Sequence, residues 1–392
     1  MAVSAMSHAP QPHRADSRKR PLRLFLCGDV MTGRGIDQVM RHPCDPVLHE
    51  SHVHSAQDYV ELAERANGPI PRRVAPSYIW GVALAELDRM RPDVRIINLE
   101  TAITRSDDYV RKGINYRMSP QNAACLSTAS IDCCNLANNH ILDWGSSGLI
   151  ETLATLERLN VKAVGAGRNI HEAGTPAALD VPAKGRVLVF SFGSATSGIP
   201  PSWEARIDSP GVNLLSELSD RGADRVAEHV SRIKQSGDLV IVSLHWGSNW
   251  GYDIPGQQQQ FARALIDRAG ASIVYGHSSH HPRAIEIHRN RLILYGCGDF
   301  LNDYEGISGY EEYRGDLTLM YFADLEPTAG TLVALEMTPL QIKKFQLARP
   351  TKTDVEWIRQ TLDRECRQFK ARALPGPDGQ IVLAAPETIA AI

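Results

Sequence analysis

The feature that most constrains the fold is an alternation: short apolar, β-branched runs recur between stretches of helical periodicity along most of the 392 residues. Leu22 to Cys27 (LRLFLC), Asp93 to Asn98 (DVRIIN), Ile131 to Leu136 (IDCCNL), Arg186 to Phe192 (RVLVFSF), Asp238 to Leu244 (DLVIVSL), Ala271 to Tyr275 (ASIVY) and Arg291 to Tyr295 (RLILY) read as strands. Amphipathic helices are predicted between them, for example at Gly148 to Leu159, Ala223 to Lys234 and Gln257 to Ala269. That alternation is the signature of an α/β fold with a largely buried sheet. From about Asp316 the pattern changes to consecutive antiparallel strands (DLTLMYFADL, GTLVALEMTPL, QIKKFQLA), with turns expected at Pro327 to Gly330 and at Pro339. A helix is expected over Asp354 to Ala371, followed by a peripheral tail from Leu374.

Composition narrows the class. With 43% hydrophobic and 22% charged residues the chain buries a large core, and a formal charge of -3 provides no basic field for nucleic acid. The first twenty residues are polar and basic and lack the apolar region of a secretory signal, and no later run is long enough to span a bilayer. A cytoplasmic protein with a disordered arm over 1–20 and no membrane anchor is therefore expected. The seven cysteines form no CxxC pair and read as buried thiols. The proline- and histidine-rich stretch 42–76 reads as a lid-like insertion in a catalytic domain over 21–350, with 351–392 as a C-terminal helix and tail. Oligomeric state is not legible.

Polar residues follow the strands with regularity. Asp29 ends the first, Glu100 follows the second, Asn139 and His140 the third, His245 the fifth, His277, His280 and His281 the sixth, and Cys297 and Asp299 the seventh. In open α/β sheets, ligands bind beyond the carboxyl ends of the strands, so these turns are expected to converge on one crevice. Carboxylates, an amide oxygen and imidazoles suit one or two divalent cations, and Mn, Mg, Ca, Zn and Fe are not distinguished by them. Singly, each element has a plainer reading: Gly-Asp after a strand is a common turn, and a buried histidine is commonly a hydrogen-bonded core residue.

The ordered set (CGDVMTGRG, INLETAIT, LANNHILDWG, SLHWG and GHSSHHP) resembles the CapA, or poly-γ-glutamate synthesis, family over roughly residues 22 to 305. The domain of that family is similar to calcineurin-like metallophosphoesterases. The resemblance implies a sandwich of two mixed β-sheets flanked by helices, with a metal centre at the strand ends. Position by position it implies Asp29, Glu100, Asn139, His245, His277 and His280 as ligands, with His281 as a substitute ligand or a substrate contact, and His140 as the group acting on the leaving group. Met31 stands where the phosphoesterases place a histidine, and the spacing of GHSSH is one residue longer than GHxH.

The resemblance also reaches metal-dependent epimerases that invert the α-carbon of a C-terminal residue in lasso-peptide precursors. Without an anchor, this reaction on a precursor peptide is the leading expectation. Its acid and base are sought among His140, Asp299 and Cys297, and its receiving surface in Arg117, Trp246, Trp250 and Tyr304. A hydrolase for a phosphoester or γ-glutamyl amide, a poly-γ-glutamate biosynthesis protein, and a non-catalytic metal-containing binding protein are the alternatives.

Overall fold

The computed structural model describes residues 20–384, so the arm expected over 1–20 lies, except for Arg20, outside the described residues. Two large mixed sheets carry the architecture. In the ten-stranded sheet the order is Arg372–Pro375, Ile381–Ala384, Leu332–Lys343, Leu317–Leu325, Leu22–Val30, Val94–Leu99, Cys133–Asn135 and Lys162–Val164, with two short strands off this path. From Leu22–Val30 onward the neighbours are parallel, and on its other side they are antiparallel. The seven-stranded sheet runs Leu214–Leu215, Gly185–Ser194, Asp238–His245, Ile273–His277, Arg291–Leu294 and Ile285–His288, with Ala177–Val181 beside Gly185–Ser194.

Side-chain alternation explains the layering. Leu24, Leu26, Ile96 and Cys133 of the first sheet share one core with Val187, Ile241, Ile273 and Leu292 of the second, so the sheets pack face to face. Their intervening neighbours Phe25, Cys27, Ile97 and Cys134 point outward, to helices Arg34–Val39, Ala56–Asn67, Ala83–Met90 and Gly145–Arg158. On the far side Leu188, Val240 and Val274 meet helices Asp220–Ser231 and Gly256–Ala269. Both faces of the central strands are therefore dry, which is why they read as unbroken apolar runs. Each fully buried Leu, Ile or Phe contributes about 1.5–3 kcal/mol.

Two expectations about the C-terminal part are corrected. Pro339 is not a turn: strand Leu332–Lys343 runs through it, with Pro339 opposite Leu319. Its other side is paired only at Glu336–Met337 and Gln341–Lys343, so the missing N–H falls in the gap between two partners. The turn comes at Lys344 and Phe345, both with positive φ. Nor is the segment after Leu374 peripheral, because Arg372–Pro375 and Ile381–Ala384 form a hairpin that joins the main sheet through Met337 and Ile381. The last helix spans Lys352–Cys366, started by a capping box between Thr351 and Asp354. Among the described residues no helix is long and apolar enough to cross a membrane.

The stretch 42–76 contains helix Ala56–Asn67 and is fastened to the body. Glu50 Oε1 lies 3.1 Å from Arg34 Nη1, and the bridge is buried on both sides. His49 stacks on Tyr109 of the neighbouring loop at 3.6 Å.

Candidate metal centre

The carboxyl ends of the parallel strands from both sheets open on the same rim of the sandwich. Asp29 is the penultimate residue of Leu22–Val30, in register with Asn98 on one side and Asp299 on the other. That close approach depends on Gly28, where an added Cβ would sit 1.7 Å from the Gly298 carbonyl oxygen. Asn98 Nδ2 donates to Asp29 Oδ1 at 2.7 Å, and the Ser278 N–H donates to Asp29 Oδ2 at 3.1 Å. Ser278 does so from φ of 100°, a strained conformation for a residue with a side chain. Strain at this point turns the chain after His277 so that its backbone closes on the carboxylate.

The second sheet supplies the imidazoles. His245 and His277 end adjacent parallel strands in direct register, and their Nδ1 atoms lie 2.9 Å apart. His245 Nε2 is 2.9 Å from Asn139 Oδ1, and His277 Nε2 is 2.6 Å from Ser243 Oγ. His277 Nδ1 is 3.8 Å from Asp29 Oδ1. Asp29, His245 and His277 each offer a ligand atom within 4.8 Å of the other two, and all three are buried.

Glu100 borders this trio, with Oε1 4.0 Å from His245 Nε2 and 3.8 Å from His140 Nε2. The His140 ring is fixed on its other side. Nδ1 is 2.7 Å from Asp143 Oδ2, and the ring stacks on Tyr116 at 3.8 Å. Lys112 braces the same loop, with Nζ 2.7 Å from Asp143 Oδ1 and donating to the Asn139 carbonyl.

Electrostatics fit a cation. Burial raises the Asp29 carboxyl above its ordinary range, with the charge of Asp299 adding to the effect. Burial raises Glu100 further, with Asp29 as the next cause. Burial pushes His277 down to about 3, and His245 well below its usual value with help from His277. His140 is pushed down to about 4 by burial, with the Lys112 charge contributing. The shifts of His245, His277 and His140 favour neutral imidazoles, as ligation requires, and burial makes negative charge on Asp29 and Glu100 costly unless a cation joins them. A divalent ion answers both conditions.

Other expected site residues lie elsewhere. His280 stands beside the trio: burial lowers its pKa, but the Asp299 carboxylate, 3.0 Å from Nδ1, outweighs this and the net shift is upward. Asp299 also accepts from Asn302 Nδ2 at 2.7 Å, so it orients His280. Trp250 and Tyr304 flank His280 at 5.2 and 5.4 Å between ring centres. His281 turns away into a box of Trp250, Tyr252 and Tyr313, with Nδ1 on the Pro282 carbonyl at 3.2 Å, so it does not join the trio. Cys297 packs in the core between the sheets, where burial pushes its thiol well up, with the charge of Asp29 adding to the effect. Trp246 is also core, donating Nε1–H to the Tyr295 carbonyl at 3.0 Å. Arg117 lies over the Trp144 ring and pairs with Asp107 at 2.9 Å, apart from the trio. Sequence reading placed Asn98 among the polar residues at the strand ends without giving it a role, and missed Asp143 and Ser243. Asp143 follows His140 by three, and Ser243 precedes His245 by two on the same strand face.

This rim of carboxylates and imidazoles on an α/β sandwich belongs to a recognised class: residues 23–304 match the family of bacterial capsule synthesis protein PGA_cap, and the chain belongs to that family. A probable polyglutamine synthesis accessory protein of Mycobacterium tuberculosis is 47% identical over 357 residues, covering 91% of this chain and 94% of its own. The PGA biosynthesis protein CapA of Bacillus subtilis is 26% identical over 336 residues, covering 84% and 76%. The capsule biosynthesis protein CapA of Bacillus anthracis is 24% identical over 337 residues, covering 86% and 70%. These relatives overturn the expectation of an isomerase acting on a lasso-peptide precursor, since they are named for polymer synthesis and not for epimerisation.

Proposed function

We propose that this chain is an accessory protein of poly-γ-glutamate-type polymer synthesis, built as a metallophosphoesterase-type sandwich, and that it holds a divalent cation through Asp29, His245 and His277. The observation that carries the reading is the convergence of these buried ligand atoms within 4.8 Å. The accessory role is supported by the mycobacterial relative, at 47% identity along nearly the whole of both chains. Two imidazoles with a carboxylate suit Mn, Fe, Co or Zn better than calcium, which takes oxygen ligands.

When bound, such an ion supplies a Lewis acid for a carbonyl or carboxylate oxygen. The amide and carboxylate oxygens of a γ-glutamyl chain are ligands of that kind. The protein's own aromatic groups border the trio: Trp250 and Tyr304 lie against His280, Tyr116 stacks on His140, and the Tyr116 and Tyr304 hydroxyls are hydrogen-bonded to each other at 2.5 Å. A phosphoester is less well served, because Arg34 is committed to Asp303 and Glu50, Lys112 to Asp143 and Arg117 to Asp107.

A second reading, cleavage of a γ-glutamyl amide, is favoured by the His140–Asp143 pair. Asp143 holds the ring through Nδ1 and leaves Nε2 facing Glu100, in position to move a proton. The test combines metal analysis of the purified protein, Mn²⁺ or Zn²⁺ titration, and polymer yield in a deletion strain. Protein that takes up neither ion ends the metal reading, and unchanged polymer yield ends the accessory role. Metal-dependent amine release from poly-γ-glutamate would decide for the second reading.

A further inference from the structure

Besides its contacts with His245 and Asp29, His277 meets the hydroxyl of Ser243. Ser243 is fully buried on strand Asp238–His245, opposite Tyr275 on the neighbouring strand. It lies two residues before His245, on the same face, so its hydroxyl sits under the ring of His277. Four groups form one chain: Ser243 Oγ to His277 Nε2 at 2.6 Å, His277 Nδ1 to His245 Nδ1 at 2.9 Å, and His245 Nε2 to Asn139 Oδ1 at 2.9 Å.

The ends of this chain differ from its middle. At each end an imidazole Nε2 faces an oxygen able to accept a hydrogen bond. In the middle two Nδ1 atoms face each other, with Asp29 Oδ1 3.8 Å from one of them. If both Nε2 atoms carry their protons, donated to Asn139 Oδ1 and Ser243 Oγ, both Nδ1 atoms keep free lone pairs, and that of His277 lies 3.8 Å from Asp29 Oδ1. A histidine ligand is commonly held by a hydrogen bond from its other ring nitrogen, which sets both tautomer and ring angle. Asn139 does this for His245, and Ser243 is the counterpart for His277. A hydroxyl suits the task because it either donates or accepts, so it satisfies Nε2 in both tautomers of the ring.

We propose that Ser243 is a positioning residue of the metal centre, its hydroxyl anchoring Nε2 of His277 so that Nδ1 is the atom offered to a borderline divalent cation. The inference rests on the metal reading above, and the experiment separates the two. Co²⁺ is titrated into wild type, Ser243→Ala and Ser243→Thr, following the visible absorption spectrum, with far-UV circular dichroism as the control for folding. Ser243→Ala is expected to bind Co²⁺ about 10–100-fold more weakly with an altered spectrum, whereas Ser243→Thr, which keeps the hydroxyl, stays close to wild type. Equal binding by wild type and Ser243→Ala overturns the inference alone, as does equal weakening in Ala and Thr. Wild type that binds no Co²⁺ overturns the metal reading and the inference with it. A readout that needs no variant is the long-range proton–nitrogen spectrum of ¹⁵N-histidine protein loaded with Zn²⁺. It is expected to show His277 protonated at Nε2 and bound at Nδ1, and the reverse attachment overturns the proposal.

Discussion

Replacing Arg34 by Met gives the sharpest test of how the rim is held in place. The guanidinium is buried, with Nη2 2.5 Å and Nε 3.2 Å from the two Asp303 oxygens and Nη1 3.1 Å from Glu50. The rings of Tyr59 and Tyr116 lie 3.8 and 4.7 Å from it. Methionine fills much of the same volume but leaves Asp303 and Glu50 as two buried carboxylates without a cation. Breaking a buried ion pair from one side costs about 3–5 kcal/mol. Arg34 also sits at φ of 42°, so Met inherits the backbone strain without the ion pair that holds it. For 392 residues the entropy of unfolding is about 0.8 kcal/mol/K. A loss of about 4 kcal/mol then lowers Tm by about 5 °C, measured by calorimetry at pH 7. Hydrogen exchange should rise first in 42–76, because Glu50 is that segment's buried tie to Arg34. A melting point within 1 °C of wild type, with unchanged exchange in that segment, would refute the reasoning.

Three further outcomes are expected. Asp29 and Glu100 have raised pKa values, so their contribution to the stability of metal-free protein is present below the ordinary carboxylate range and is lost as pH rises through the raised values. Metal-free protein should therefore melt lower at pH 8 than at pH 5, while Zn²⁺ affinity by calorimetric titration rises over the same interval; opposite slopes would refute the charge assignment. Cys297→Ser should keep its metal content by mass spectrometry yet lose about 1–3 kcal/mol in denaturant unfolding, the cost of a hydroxyl in an apolar core. Gly28→Ala places a Cβ 1.7 Å from the Gly298 carbonyl and should yield no folded protein by circular dichroism, in contrast to Gly256→Ala, which meets nothing within 4 Å.

Much of the fold is legible because its central strands are dry on both faces, and an unbroken run such as DLVIVSL has no other economical use. The ends of such runs then mark the rim, which is how Asp29, His245 and His277 could be found. Side-chain direction at the exits was not legible. His280 and His281 are adjacent in sequence, and only the backbone path after Ser278 sends one toward Asp299 and the other into an aromatic box. Cys297 and Asp299 likewise sit two apart around Gly298, whose φ of 79° separates core from rim. Pro339 misled because proline's cost in a strand depends on whether a partner faces its nitrogen, and that is a fact of the assembled sheet. Lys112 and Asp143 belong to no strand end, and their contact with His140 arises only when two loops meet.

The candidate ligand trio is drawn from both halves of the sandwich. Asp29 ends a strand of one sheet, and His245 and His277 end strands of the other. An ion held there would be a cross-tie at the open mouth of two stacked plates, resisting their sliding past one another. At a free concentration of a thousand times Kd, ligand linkage is worth about 4 kcal/mol. In this architecture that energy is applied across the seam between the sheets, so occupancy should register as mechanical stiffness of the whole body and not only of the rim.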